Sequence, residues 1–469
     1  GRLFAITMPA TRTTPLLLAL AVAPALLLLE SRRRRRLEEA SGNRGVVPVR
    51  WTAELWAWNC FLWPVCVVAD ALGLDLLITM PTSIERLQRE AERRTGLSDW
   101  GRTANFPGLY EFVVDRVNDL KLRVSPLGRL IHLDYLLRRL MRRLEVVDDA
   151  KKKAAKARDE PLQLTFITGL PRTGTTLLHR LLSLDPEARY PKTYELLDPL
   201  STDDVETRVE RVDKALNFVK RLVPQVDAIH EMGAREPEEC LIALSLEMPM
   251  LFGHIMRICV TPTGDVSIPD LRDAYLLYEH QLRCLDDDDS EKKKRWVLKS
   301  PAHLAFIDSL VAAFPSANIV WTHRDPAQSV PSACSMFRTF AELTQHSTVD
   351  LHAIGAEQLA YWAAAVTKAE TDLAAHPNTA HVDYDELYRD PVAAVAKLYE
   401  VFHWGPISPA FHARMTAYLD KNKAERAAIP AHIRKLHRYS LEDYGLSTPT
   451  IRDAFASYYT THLPQHPSS

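Results

Sequence analysis

The sequence predicts an α/β fold in three layers: a central, mostly parallel sheet between helices, with a helical extension ahead of it. Three observations predict it. From residue 164 onward, short apolar and β-branched runs alternate with helical stretches, the pattern of parallel strands joined by helical crossovers. The first such run ends in a glycine turn that opens directly into the leucine-rich stretch Leu177–Leu184. Upstream, about 70 residues from Pro81 keep a helical period. The composition of the 469 residues, 46% hydrophobic and 25% charged, is that of a globular chain and excludes a disordered one. Lys plus Arg total 58 against 60 Asp plus Glu, a net charge of −2 that argues against a dedicated nucleic-acid binder. Six cysteines without a CxxC pair suggest neither a disulfide scaffold nor a zinc finger.

In chain order, residues 1–80 read as a hydrophobic targeting or anchoring region. Pro15–Leu29 is a run of fifteen apolar residues, short of the ~20 that span a bilayer, followed by the arginines Arg32–Arg36. A second apolar stretch, Leu55–Ala69, allows a hairpin with a cytosolic basic loop. That topology places the rest of the chain in an endomembrane or Golgi lumen. The alternative is a targeting peptide followed by an ordinary buried helix, which leaves a cytoplasmic enzyme. Residues 81–160 form the helical extension: Ile84, Leu87 and Ala91 keep a 3.6-residue spacing, and Leu120–Leu144 is rich in Leu and Arg. Lys151–Glu160 reads as a solvated linker. From 161 to 469 comes the α/β domain, with strands expected at Leu164–Thr168, Trp296–Leu298, Ile319–Trp321 and near His381. The charged run Asp286–Arg295 reads as an exposed loop.

The sharpest signal is FITGLPRTGTTLL, Phe166–Leu178. A strand, Gly169-x4-Gly174, then Thr175 and Thr176 opening a helix is a P-loop-type geometry. It turns successive backbone N–H groups and a helix N-terminus toward one anion. Thr173, Thr175 and Thr176 add hydroxyls. A nucleoside triphosphatase carries Lys where Thr175 stands; here Arg172 is the loop's one side-chain cation. Two further anion sites follow expected strands: Lys299 in WVLKSPAHL, and Arg324 in THRDP with Ser332 eight residues on. Each is weak alone, because an Arg-Asp turn is most often a salt-bridged corner. The three together are not.

These residues resemble the sulfotransferases that use 3′-phosphoadenosine 5′-phosphosulfate (PAPS). PRTGTT, Pro171–Thr176, looks like that family's 5′-phosphosulfate loop, and Arg324 with Ser332 resembles its 3′-phosphate motif. The chain is most similar to the bacterial-type branch with GxPRSGTTLL, LKxPxHL and a late HxYS element, here His437–Ser440, and more distantly to tyrosylprotein sulfotransferases. AERRTGLSDWG (Ala91–Gly101) and PEEC (Pro237–Cys240) after His230 also fit. The resemblance implies PAPS as co-substrate, with Arg172, Thr173, Gly174, Thr175, Thr176, Leu177, Arg324, Ser332, His437 and Tyr439 around it. It also implies a hydroxyl-bearing acceptor (carbohydrate, lipid, small metabolite or tyrosine) and no required metal.

Sulfuryl transfer, like phosphoryl transfer, asks the protein mainly to position groups and to stabilise charge on the leaving oxygen. Arg172 and Lys299 are expected in that role. The acceptor hydroxyl needs a base, for which Glu195 is the first candidate and His303 the rival. Glu236, Glu238 and Glu239, near His230, read mainly as the acidic start of a helix, with a substrate-facing role for one of them as the alternative. The alternatives are a P-loop kinase, disfavoured by the missing loop lysine, and a non-catalytic binding module, disfavoured by three intact cations.

Overall fold

The computed structural model describes Arg32 and residues 45–49, 52–74, 76–101, 103, 106–119, 124–153, 160–224, 232–251, 270–287, 295–345, 348–428 and 439–463. Pro15–Leu29, Arg33–Arg36, His230, His437 and most of the charged run before Arg295 lie outside these residues. The extension consists of α1 (Ala53–Leu72), α2 (Ile84–Thr95), α3 (Gly108–Asp119) and α4 (Pro126–Lys153). Seven strands follow the chain as β1 (Val46–Pro48), β2 (Leu164–Gly169), β3 (Ala188–Arg189), β4 (Arg295–Lys299), β5 (Asn318–His323), β6 (Thr348–Asp350) and β7 (Thr379–Asp383). Helices α5 (Thr175–Leu182), α6 (Thr193–Leu197), α7 (Val205–Leu222), α8 (Arg272–Asp287), α9 (Ile307–Ala313), α10 (Pro326–Thr344) and α11 (Leu351–Leu373) come next. The C-terminal part adds α12 (Tyr384–Arg389), α13 (Pro391–Val401), α14 (Pro409–Ala428), α15 (Thr448–Ala454) and α16 (Ala456–His462).

Five strands form one sheet in the order β3-β4-β2-β5-β7, and every neighbouring pair is parallel. The four strands expected from apolar runs are its β2, β4, β5 and β7. The two-residue edge strand β3 and the antiparallel pair β1–β6 were not expected, although β1 is itself a short apolar run, Val46–Pro48. All six residues of β2 are buried, because helices cover both faces of a parallel sheet. Successive side chains point to opposite faces. Phe166, Leu298 and Ile319 therefore enter one core, under α8–α11 and the C-terminal helices α15 and α16. Ile167, Val297 and Val320 enter the other, under α5 and α12–α14.

The extension builds its own core. Ser83 caps α2 by accepting from Arg86 N–H at 3.3 Å, and Gly96 ends it at φ 72°. Between the caps, Ile84, Leu87 and Ala91 are buried as their spacing requires. They pack with α3, α4 and two residues of α1, Leu55 and Leu62, together with Leu222, Val223 and Leu343 of the α/β region. The basic end of the expected linker, Lys151–Lys153, is in fact the last turn of α4, where cations favour the helix dipole.

Among the described residues, α1 is the one helix long and apolar enough to cross a membrane. Its polar ties point inward instead. Asn59 is fully buried and accepts from Leu127 N–H at 2.9 Å, and Asp70 pairs with Arg129 at 2.7 Å. Asp70 also accepts from Met80 N–H at 2.9 Å. The first two fasten α1 to α4 and the third to Met80, while Trp56, Trp58, Phe61, Val67 and Leu72 of the same helix are exposed.

The two cores meet where α4 begins. Ser125 N–H donates to Thr344 O at 2.7 Å, and a Cβ on Gly128 would run into that same backbone carbonyl. Gly128→Ala is therefore expected to cost about 1–3 kcal/mol, since backbone on one side cannot yield as a side chain can. A lowered urea midpoint checks this; an unchanged midpoint would mean that the two helical layers are not held by this contact.

Candidate functional site

The sheet order places the C-terminal ends of β4, β2 and β5 side by side, the edge at which ligands gather in open α/β sheets. Ile167 pairs with Lys299 and Gly169 with Thr322, so the phosphate loop stands between the lysine and Arg324. Leaving β2, the loop turns on two left-handed residues, Arg172 at φ 70° and Gly174 at φ 86°. Gly174 is the N-cap of α5 and carries no side-chain cap. Helix geometry leaves the N–H groups of Thr175, Thr176 and Leu177 without intrahelical acceptors. Uncapped, they form a ready anion site with the positive end of the dipole behind it.

Thr173 does something other than expected. It is fully buried, its hydroxyl donates to Leu170 O at 2.6 Å and it meets Thr322 Oγ1 at 2.6 Å. This side chain braces the loop against β5, which leaves Thr173 only its backbone to offer a ligand. Leu177, in the first turn of α5, is partly buried against the core under that helix.

The two phosphate motifs interlock. Arg172 Nε donates to Ser332 Oγ at 3.3 Å, and Arg324 Nη1 donates to Arg172 O at 2.9 Å. Arg324 lies over the Tyr384 ring at 4.0 Å, and its Nε is buried with no hydrogen-bond partner among the described residues. Tyr384 and Leu387 also close over Gly174, where a Cβ would come within 3.0 Å of Leu387. The turn after β5 is fixed by Asp325, which caps α10 through Ala327 N–H at 2.8 Å and accepts from Tyr459 OH at 2.5 Å. Arg324 Nη2 donates to Gln328 Oε1 at 3.2 Å, so the uncapped helix start, Arg172, Ser332 and Arg324 lie along one stretch of the sheet edge. Tyr439 is exposed, at the start of the last described segment.

Lys299 is buried, with 1% of its side chain exposed, and donates to Glu239 Oε1 at 2.5 Å. Ser300 Oγ reaches the other oxygen at 3.4 Å. Glu239, 20% exposed, is thus the carboxylate at the lysine. The PEEC segment is pinned there because Cys240 N–H donates to Lys299 O at 3.0 Å and Glu238 N–H to Pro191 O at 3.0 Å.

Neither base expected from sequence has a base's surroundings. Both Glu195 oxygens are engaged: Arg189 donates at 3.0 and 3.1 Å, Lys192 N–H at 2.8 Å as a capping box, and Tyr194 OH at 3.2 Å. Burial pushes its carboxyl up, but Arg189 and these hydrogen bonds outweigh burial and hold it below the usual range. Glu195 is a structural counterion for a buried arginine. His303 is fully buried beneath Lys299, with Nδ1 2.8 Å from Tyr275 OH and its ring against Phe166. Burial, with a smaller contribution from Lys299, takes its imidazole down to about 3. It is a neutral core histidine.

An α/β enzyme with a P-loop-type turn and two arginines at the C-terminal edge of a parallel sheet is the class that this fold and site define. The family model described as "Sulfotransferase family" matches residues 165–405, and the chain belongs to that family. Among solved structures it is similar to sulfotransferase STF1 from Mycobacterium tuberculosis, at 25% identity and a TM-score of 0.65, covering 80% of this chain and 99% of that one. Sulfotransferase STF9 from Mycobacterium avium is similar at 25% identity and a TM-score of 0.65, over 81% of this chain and 97% of that one. Comparison with curated proteins found no match. The chain is a sulfotransferase, and the kinase alternative is not favoured.

Breaking the Glu195 pair should register as stability. Glu195→Gln leaves Arg189 uncompensated in a site where both side chains are 6% exposed, a change worth about 3–5 kcal/mol. Because the folded carboxyl lies below its unfolded value, its contribution is fully present above about pH 4.5 and is lost as pH falls through the folded value. Urea titrations should therefore show the two proteins far apart at neutral pH and converging in acid. A constant gap across that range would assign the loss to packing.

Proposed function

We propose that this sulfotransferase moves a sulfuryl group from PAPS to the hydroxyl of an acceptor, with Glu239 as the base. The observation that supports it best is the convergence of the uncapped α5 turn, the Arg172–Ser332–Arg324 interlock and the Lys299–Glu239 pair along one sheet edge. In this reading the N–H groups of Thr175, Thr176 and Leu177, with Arg172, hold the 5′-phosphate. Arg324 and Ser332 hold the 3′-phosphate. Lys299 stabilises charge developing on the bridging oxygen as the sulfur–oxygen bond to the phosphate breaks and the acceptor oxygen bonds to sulfur. Glu239 receives the acceptor's proton, since it is the carboxylate nearest Lys299 and the more exposed partner of that pair.

Carbohydrate, lipid, small-metabolite and tyrosine hydroxyls all suit this chemistry, and none of the steps assigned to the chain's residues calls on a metal. Membrane association rests on Pro15–Leu29 and the arginines after it. The bonds between α1 and α4 argue against a hairpin, and with it against a lumenal catalytic domain. A cytoplasm-facing enzyme is the better reading.

Calorimetry with the desulfo product, PAP, tests the nucleotide assignment. PAP should bind well and AMP poorly, and Arg324→Ala should weaken PAP by at least about tenfold, because a charged hydrogen bond is worth ~1.5–3 kcal/mol. Equal affinities for PAP and AMP would overturn the assignment. Glu239→Gln should lower kcat by ~10²–10⁴ with PAP affinity little changed, the signature of a group used in the transition state. Labelled sulfate transfer at a near-normal rate in that variant would remove Glu239 as the base.

A further inference from the structure

A second cluster of chemistry-bearing side chains lies away from the phosphate edge, between the extension and the α/β region. His280 and Cys284 are four residues apart on α8 and so share one helix face. Opposite them stands Asp149 of α4. His280 Nε2 is 2.8 Å from Asp149 Oδ2, Cys284 Sγ is 3.2 Å from that same oxygen, and Sγ is 3.5 Å from Nε2. Three different donor atoms, one N, one O and one S, thus converge on a single point.

This is not a nucleophilic triad. In a triad the imidazole relays between two partners through its two ring nitrogens. Here Nε2 alone faces both the carboxylate and the thiol. Burial, and next the hydrogen bond to Asp149, push the Cys284 thiol up to about 12, the reverse of an activated nucleophile. The spacing does suit a tetrahedral ion: bonds of about 2.3 Å to S and about 2.0–2.1 Å to N and O put ligand atoms roughly 3.2–3.6 Å apart. The S–N distance of 3.5 Å already suits such an ion, while the S–O pair must open by about 0.3 Å and the N–O pair by about 0.5 Å.

We propose that Asp149, His280 and Cys284 form a binding site for a thiophilic divalent transition metal of the Zn2+ class. Asp149 and Cys284 also line a cavity of about 830 Å3, together with Lys153, Arg189, Lys192 and Arg208. Glu195, Asp203 and Asp204 line the same cavity, which therefore mixes both charges and gives room for a water to complete the shell. At present Lys153 supplies the cation, with Nζ 3.3 Å from Asp149 and 3.7 Å from Sγ. It stands in the last turn of α4, 44% exposed, and can swing into solvent when a dication takes its place. A bound ion would clamp α4 to α8 and so join the extension to the sheet region. The other convergent group, His323, His381 and His462, has the His323 and His462 rings stacked at 4.3 Å, and it contains no thiol.

That missing thiol makes the test specific. Full-length protein, stripped with a chelator and titrated with Co2+, is expected to show a thiolate-to-cobalt charge-transfer band that Zn2+ bleaches. His280→Ala and Cys284→Ser should each abolish the band. Losing even an outer partner of a metal ligand costs about 10–100-fold in affinity, so each should weaken Co2+ binding here by more than about tenfold. Circular dichroism checks folding, and Asp149→Asn, which keeps the side chain's shape, provides a third variant with the same expected loss. Absence of the band in the wild type, or its survival in a folded His280→Ala protein, would overturn the proposal.

Discussion

The close approach of Gly169 to Thr322 is the constraint on which the site depends. A Cβ at residue 169 would lie 2.6 Å from the Thr322 carbonyl oxygen, so only glycine lets the end of β2 sit this near the end of β5. Thr322 turns the proximity into bonds, donating to Thr168 O at 3.2 Å and meeting Thr173 at 2.6 Å. The loop is thereby tied to β5 before it begins its turn. Only then is the Arg172 carbonyl within reach of Arg324, which leaves β5 two residues after Thr322. The proposed bisphosphorylated co-substrate would need its two phosphate positions at fixed separation, and this backbone contact fixes the loop relative to the end of β5.

Charge pairing separates structural groups from working ones. Buried cations recur in this chain, and Arg189, Arg295 and Arg143 each hold a carboxylate that is itself buried: Glu195, Asp185 and Glu247. Such pairs gain Coulomb energy but have lost the water of both partners, so removing one partner leaves an uncompensated charge. The Lys299 pair differs. Its lysine is as buried as any of those arginines, yet its carboxylate keeps 20% exposure and stands at the ligand edge. A lysine desolvated on a strand end beside a carboxylate that reaches solvent is what the proposed role in stabilising developing charge would require.

The parts legible in the sequence were those whose information is local. The strands β2, β4, β5 and β7 are continuous apolar runs, and the loop is a contiguous motif whose glycines, threonines and arginine have roles fixed by backbone geometry. What failed depended on distant partners. Glu195 looks like a free acid until β3 brings up Arg189, and a two-residue edge strand leaves no pattern to find. The hydroxyl of Thr173 is turned inward by Thr322, 149 residues away. Glu239 meets Lys299 across 60 residues, and its sequence neighbours mimic the acidic start of a helix. The one available signal was PEEC itself: a proline followed by two acids and a cysteine, before an apolar turn.

The family match begins at residue 165, yet the extension ahead of it belongs to the same machine. The turn that follows Glu239 packs Cys240, Ala243, Leu244 and Met248 into the sheet-side core, while several of its polar groups are held by the extension. Arg139 donates to Ile242 O at 3.2 Å, Tyr110 OH to Leu246 O at 3.0 Å, and Thr103 to Glu247 at 3.0 Å, while Arg143 pairs with Glu247 and lies over Phe106. On the sheet side the segment has the bond from Cys240 N–H to Lys299 O. Glu239 therefore sits between an anchor on β4 and a clamp from α3 and α4. Its distance from Lys299 is set by how the two cores dock, and the backbone contact between Gly128 and Thr344 is part of that docking. The helices ahead of the matched region thus fix the geometry of the carboxylate we assign to the acceptor's proton, a role that neither loop nor strand could fill alone.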